Sequence, residues 1–351
     1  MAALDSVSAS LSIFVIVAAG IATHLFYSWY RLSHIPGPFW PSISKYWMVK
    51  KALEGKTFSS LKEVTDRYGS LARVGPNDLV TDDPDILRRM MAVRSPYTRG
   101  PWYDAMRLDP MKDNLLSMRD EEAHTALRNK MAAGVRMTFP LWDIQAHKTA
   151  VLGKRERSKE SRIMDLGEKG QFFTLDVISD LAFGKPFGYL AQDCDPFDYI
   201  KITEQYIPAM LVMANLPWLA RLTHTRLFAS AFPKESDKLG FGAFIGLTSS
   251  RIANNIVKQR FLPGADIQKD MMASFIRHGL TTDEASSEAL LQIIAGSDTS
   301  AATIRVLLLN IMSSLPIYRR LQAEIDTASK SGKSPVQSRT TKPDNYPTCK
   351  Q

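Results

Sequence analysis

Read for its polar and apolar positions, the chain opens on a run from Leu11 to about Tyr30 that carries no Asp, Glu, Lys or Arg and is dominated by Leu, Ile, Val, Phe and Ala. That length suits the hydrocarbon core of a bilayer. Its Leu, Ile, Val and Phe side chains favour insertion by about 3–5 kcal/mol, less what Ser12, Thr23 and His24 subtract. Tyr27, Trp29 and Tyr30 stand where an interfacial aromatic belt lies, and Arg31, Lys45, Lys50 and Lys51 follow on one side. The pattern predicts a transmembrane anchor over 11–30, a lumenal stub over 1–10 and a body in the cytosol. A cleaved secretory signal competes, because Ala18, Ala19 and Ala22 are small residues near the end of the run. Against it, no Lys or Arg leads the run, which continues past those alanines. Ile35-Pro36-Gly37-Pro38 then sets two fixed proline φ angles around a glycine, a stiff bend within a hinge and linker over 31–55.

Beyond the hinge, Leu71 to Val74 and Leu79 to Thr81 are short β-prone runs around Gly75-Pro76-Asn77-Asp78, which predicts a hairpin. Pro84 opens a helix through Met91. Helical periodicity governs Glu121 to Met131, Leu175 to Phe183, Ile245 to Val257 and Glu284 to Leu315, punctuated by prolines such as Pro186, Pro196 and Pro217. Tyr206 to Ala220 is uncharged but broken by Pro208 and Pro217, so it reads as core or as the wall of an apolar pocket. The prediction is a mainly α chain with a small sheet near its start.

The longest apolar helix contains a polar lesion. Leu290, Leu291, Ile293 and Ile294 lead into Ala295-Gly296-Ser297-Asp298-Thr299, and Ile304, Val306, Leu307, Leu308 and Leu309 restore the apolar character. A glycine inside a helix costs about 1 kcal/mol against alanine, and Ser, Asp and Thr compete for the helix's own hydrogen bonds. Two readings carry equal weight. Either one helix ends near Gly296 and Ser297 or Asp298 caps the next, or the helix continues and the lesion is functional. In the second case Gly296 admits a flat cofactor close to the backbone, Thr299 bonds a carbonyl one turn back, and Asp298 supplies protons.

Composition narrows the classes. With 351 residues and 45% hydrophobic content the chain can bury a large core. Its 44 basic against 36 acidic side chains give a charge of +8, suited to an anionic membrane face or an acidic partner. Those basic residues are scattered, without zinc-finger spacing or interleaved aromatics, so no nucleic-acid partner is read. Two cysteines are too few for a disulfide framework and fit a reducing, cytosol-facing location. The histidines show no close pairing, so no non-haem metal site is read. Gly240, Gly242 and Gly246 are wrongly spaced for a dinucleotide fingerprint.

Residues 295–299 match, position for position, the Ala/Gly-Gly-x-Asp/Glu-Thr motif of the cytochrome P450 superfamily. Pro316 to Ile325 resembles the helix that follows it there. Tyr68-Gly69 through Asp83-Pro84 resembles the first hairpin and next helix, and the anchor and Pro-Gly-Pro hinge resemble the microsomal, fungal-type branch. The resemblance runs to about Asp326. It implies a cytochrome P450-like domain over 56–326 with haem as cofactor, crossed by the 295–299 helix at Ala295 and Gly296. Asp298 and Thr299 take the proton-relay role. His124 and Arg128, four apart on one helix face, take the haem-propionate role; without the resemblance they read as a solvated face beside Glu121 and Glu122. It further implies monooxygenation of a small apolar, secondary-metabolite-type substrate, electrons from NADPH-cytochrome P450 reductase, and the endoplasmic reticulum membrane.

The family also needs a cysteine thiolate on the haem iron, in a Phe-x-x-Gly-x-Arg-x-Cys-x-Gly loop, and a Glu-x-x-Arg pair. The sequence contains neither. Cys194 lies between Asp193 and Asp195, whose charges oppose a thiolate, and Cys349 lies two residues from the last. From Thr327 to 351 the Ser, Thr, Lys and Pro content predicts a disordered tail. The expectation is a truncated, incomplete domain that is inactive as written, the alternative being a non-catalytic membrane-anchored remnant that binds an apolar ligand or a protein partner.

Overall fold

The computed structural model describes residues 2–108, 112–135, 165–223, 225, 256–264 and 270–331. The helix expected over Ile245 to Val257 lies outside these residues except at its end, as do Gly240 to Gly246 and Cys349. The described chain is mainly helical with one two-stranded sheet, the expected class. It divides into two compact units, residues 1–106 with 207–222 and residues 107–206 with 223–351.

The first unit begins with α1 (Ala2–Arg31). Among the described residues no single helix is long and apolar enough to cross a membrane. Next come α2 (Phe39–Ile43), α3 (Tyr46–Leu53) and α4 (Thr57–Tyr68), then β1 (Leu71–Arg73) and β2 (Leu79–Thr81), paired antiparallel with Ala72 opposite Val80. Val64, Ala72 and Val74 form a small core with Trp47, Leu61, Tyr68 and Val80 around it. Asp83 caps α5 (Pro84–Met90) by accepting from the Asp85 and Ile86 amides, and Pro84 supplies a first-turn residue with no amide hydrogen to satisfy. The 207–222 segment closes the unit, its Met210, Met213, Ala214 and Ala220 clustering with Tyr103, Ala105 and Met106.

The hinge docks on the hairpin. Arg73 N donates to Pro36 O at 2.8 Å. A Cβ on Gly37 would stand 2.3 Å from Arg73 O, so only glycine permits this approach. Arg73 itself is 2% exposed. Its guanidinium donates to Trp29 O at 2.8 Å, Ser28 O at 3.1 Å, Pro76 O at 2.8 Å and Gly75 O at 3.1 Å. Two of these acceptors lie in the last turn of α1, where carbonyls lack intrahelical donors and the helix dipole favours a cation. One buried arginine thus ties the end of α1 to the hairpin.

The second unit holds α6 (Glu121–Val135), α7 (Leu166–Phe183), α8 (Tyr189–Gln192) and the first half of α9 (Tyr199–Asn215). After α10 (Pro217–Thr223) come α11 (Lys258–Arg260), α12 (Met271–Arg277), α13 (Thr282–Met312) and α14 (Leu315–Lys330). α13 packs most extensively on α7, and α6 packs on α12, where Gly134 leaves room for the Phe275 ring. α13 starts at a capping box: Thr281 Oγ1 accepts from Glu284 N at 3.2 Å, and Glu284 accepts from Thr281 N at 2.8 Å. The helix expected to reach Leu315 stops at Met312, and α14 leaves it at 108°. Pro316 explains the stop, because it has no amide hydrogen to donate and its ring obstructs the preceding turn. One expectation is corrected here. Thr327 to Lys330, read as the start of a disordered tail, continue α14, with Thr327 Oγ1 bonded to Ala323 O at 2.7 Å and Lys330 favoured by the dipole at the helix end.

Candidate functional site

The polar lesion does not break α13. Residues 295–299 stay helical within one 31-residue helix, which settles the choice between a break and a continuous helix. Each hydroxyl is satisfied inside the helix. Thr299 Oγ1 donates to Ala295 O at 2.7 Å, Ser297 Oγ to Ile293 O at 2.7 Å, and Thr303 Oγ1 to Thr299 O at 2.8 Å. Back-bonding of this kind lets small polar side chains sit in an apolar helix without orphaned groups.

The five residues face different ways. Ala295 and Thr299 share an exposed stripe, four positions apart. Ser297 is fully buried, its Oγ 3.4 Å from the Tyr199 hydroxyl of α9. Gly296 turns to α7, where an added Cβ would come 2.7 Å from Ile178 Cδ1, so close helix packing favours a glycine and any larger residue must displace the Ile178 side chain. Asp298 is half-buried beside α7 and its Oδ1 accepts from Gln171 Nε2. Burial pushes its carboxyl above the ordinary range, while Gln171, Ser297 and Arg305 pull the other way. Arg305, two turns on, donates to Gly167 O at 2.7 and 2.9 Å and to Gln171 Oε1 at 3.4 Å.

The other two predicted site residues lie on α6. His124 is buried and Arg128 exposed, so the four-residue spacing does not give them equal access to solvent. The structure brings Ala295, Gly296, Asp298 and Thr299 together on α13 and leaves His124 and Arg128 on a separate helix. Sequence reasoning missed Gln171, Arg305 and Tyr199. Arg305 had a signal, as the lone charge inside the run Ile304 to Leu309. It missed Glu288 too, a fully buried carboxyl on α13 whose Oε1 accepts from Leu115 N at 2.6 Å. Burial, with Glu284 nearby, raises Glu288 to about 7.

The site is thus a long unbroken helix carrying a back-bonded Thr and a half-buried acid, in a mainly helical chain with an N-terminal hairpin. The family model for cytochrome P450 matches residues 35–342. Cytochrome P450 monooxygenase ABA1 of Pyricularia oryzae is 37% identical over 336 residues, covering 91% of this chain and 65% of that protein. Cytochrome P450 monooxygenase aba1 of Botryotinia fuckeliana is 34% identical over 319 residues, 87% of this chain and 62% of its own length. Inactive cytochrome P450 monooxygenase lolP2 of Epichloe uncinata is 43% identical over 124 residues, or 35% of this chain. The chain belongs to the cytochrome P450 family, and spans less than two thirds of the first two relatives.

Membership implies haem as the cofactor. The described residues fit one side of it: Ala295 and Thr299 offer a stripe of small side chains, and Thr299 already engages the Ala295 carbonyl. They do not fit the other. Among the described residues no free cysteine is present, so none of them offers a thiolate to the iron.

Proposed function

We propose that this chain supplies the oxygen-binding side of a haem-thiolate monooxygenase, the family reaction being insertion of one oxygen atom into a small apolar substrate with electrons from NADPH-cytochrome P450 reductase. The observation that carries this reading is the unbroken course of α13 through 295–299, with Thr299 bonded to Ala295 O. Asp298 holds and releases the proton, with a carboxyl whose burial favours the neutral form. Thr299 presents a hydroxyl on the adjoining exposed face. Ala295 keeps that face low, Gly296 sets the spacing to α7, and His124 and Arg128 are the candidate partners of the haem carboxylates. Haem, when bound, supplies the oxygen chemistry.

Because no free thiol is present among the described residues, we read this polypeptide as one that does not complete the reaction by itself. That reading gains support from lolP2, a relative named as inactive. The test is the reduced, carbon monoxide-bound spectrum of the full chain purified with haem supplied. The expected spectrum lacks the thiolate-type Soret band; observing that band, or hydroxylation by the purified chain, sinks the inactive reading.

Although no described helix by itself meets the length and apolarity of a span, we also propose, from the sequence run alone, that residues 11–30 anchor the chain in the endoplasmic reticulum membrane, with the body in the cytosol. The charge-free run over 11–30 and the flanking Lys45, Lys50 and Lys51 support this. Protease added outside sealed microsomes should then digest everything beyond the hinge. Protection of the second unit would contradict the orientation.

A further inference from the structure

Asp298 has a fixed bearing that its helix alone does not dictate. Its Oδ1 accepts from Gln171 Nε2 of α7 and stands 3.3 Å from Ser297 Oγ, and the Tyr199 hydroxyl bonds the same carboxyl group. Gln171 is itself buried, and its amide has two ends to place. Arg305 settles which way round it sits. A guanidinium is donor-only, so it takes the amide oxygen, and the NH2 end is left facing the carboxylate, which is acceptor-only when ionised. Arg305 is in turn held by two bonds to Gly167 O in the first turn of α7. The order is therefore cation, amide, carboxylate, with each donor meeting an acceptor. The other titratable group facing Asp298 is Tyr199 of α9, beside Ser297.

We propose that Gln171, oriented by Arg305, is a positioning residue for Asp298: it holds Oδ1 from the α7 side and so fixes the bearing of the carboxyl that takes and gives up the proton. This rests on the reading of Asp298 as the proton-relay acid. Gln171 touches neither substrate nor cofactor and acts only through the carboxylate it holds.

The test reads the carboxyl group and needs no haem. Difference infrared spectra of the full chain with 13C-labelled aspartate, titrated over pH, follow the carboxyl band that Asp298→Asn removes. Gln171→Leu should bind that proton about tenfold more tightly, since a hydrogen bond to the charged form is lost. Arg305→Gln should shift the midpoint the same way, and Arg305→Lys, which keeps the charge, should shift it less. Ile178→Val, in the same helix interface but without contact to Asp298, should leave it unchanged. A purely structural role for Gln171 would lower stability and leave the midpoint alone. If Gln171→Leu and Arg305→Gln both titrate with the parent, the proposal fails; should Gln171→Leu not fold, the two Arg305 variants decide. Failure of the haem reading would show in the carbon monoxide spectrum and leave this titration intact.

Discussion

At the scale of single residues, two buried charged side chains show how differently a fold can treat a charge. Arg73 is surrounded by four carbonyls, so its guanidinium exchanges water for a full set of acceptors. Arg73→Met should destabilise the first unit by about 3–5 kcal/mol, the cost of leaving buried acceptors without donors. Arg73→Lys should recover little, because one ammonium cannot reproduce the fork. Urea denaturation, with hydrogen exchange at Ser28 to Arg31, checks both. Glu288 is the opposite case. Leu115 N satisfies Oε1, but Oε2 has no partner among the described residues, and burial raises the carboxyl to about 7. A folded-state value above the unfolded one means the unfolded chain releases this proton first as pH rises. Stability therefore falls from about pH 4.5 to 7, by about 3 kcal/mol in all, and is flat above that. Glu288→Gln should remove this part of the slope and gain most at pH 8. Urea melts at pH 5 and 8 measure the difference, and equal slopes in parent and variant would count against it.

At the scale of elements, the α7–α13 contact turns on a glycine. A Cβ at Gly296 meets Ile178 Cδ1 at 2.7 Å and Cγ1 at 2.9 Å, with the next atom, Cβ, at 3.6 Å. Gly296→Ala gains about 1 kcal/mol of helix propensity and should still destabilise, by about 1–2 kcal/mol net, as the clash prevails. In an Ile178→Ala background the clash is gone and the same change should be neutral or stabilising; a double-mutant cycle by thermal melting reads the coupling. Additive effects would show that the interface relaxes freely. This contact also marks where sequence reading ran out. The hairpin and Asp83-Pro84 at the start of α5 are local signals carried by neighbouring residues, so both were legible; the Thr281–Glu284 box, as local as they are, was not read. The continuity of α13 was not legible, since Gly, Ser, Asp and Thr in sequence suit a break and a back-bonded helix equally well. The start of α7 at Leu166 was hidden because Gly167, Gly170 and Gln171 interrupt the apolar period. Gln171, Glu288 and Arg305 take their meaning from partners far along the chain, which no periodicity reports.

At the scale of the molecule, apolar surface is unevenly distributed over the described residues. The first half of α13 is buried against α7, but Val306, Leu307, Leu309 and Met312 in its second half are exposed, Leu309 to 68%. Leu315, Ile317, Leu321 and Ile325 extend the exposed apolar surface along α14. An apolar strip over two consecutive helices exceeds the scattered exposure ordinary for a folded chain. In the polypeptide as given, the cheapest cover is another copy of itself, because burying apolar area is favourable wherever it is found. Sedimentation velocity in one detergent at fixed concentration should show association of the parent chain, reduced in a Leu309→Lys, Met312→Lys, Ile317→Lys variant. Any detergent bound along residues 11–30 is common to both and cancels in the comparison. The substitutions lie on exposed faces, so they should leave the helical circular dichroism unchanged; a variant that keeps that signal yet sediments like the parent would place the association elsewhere on the chain.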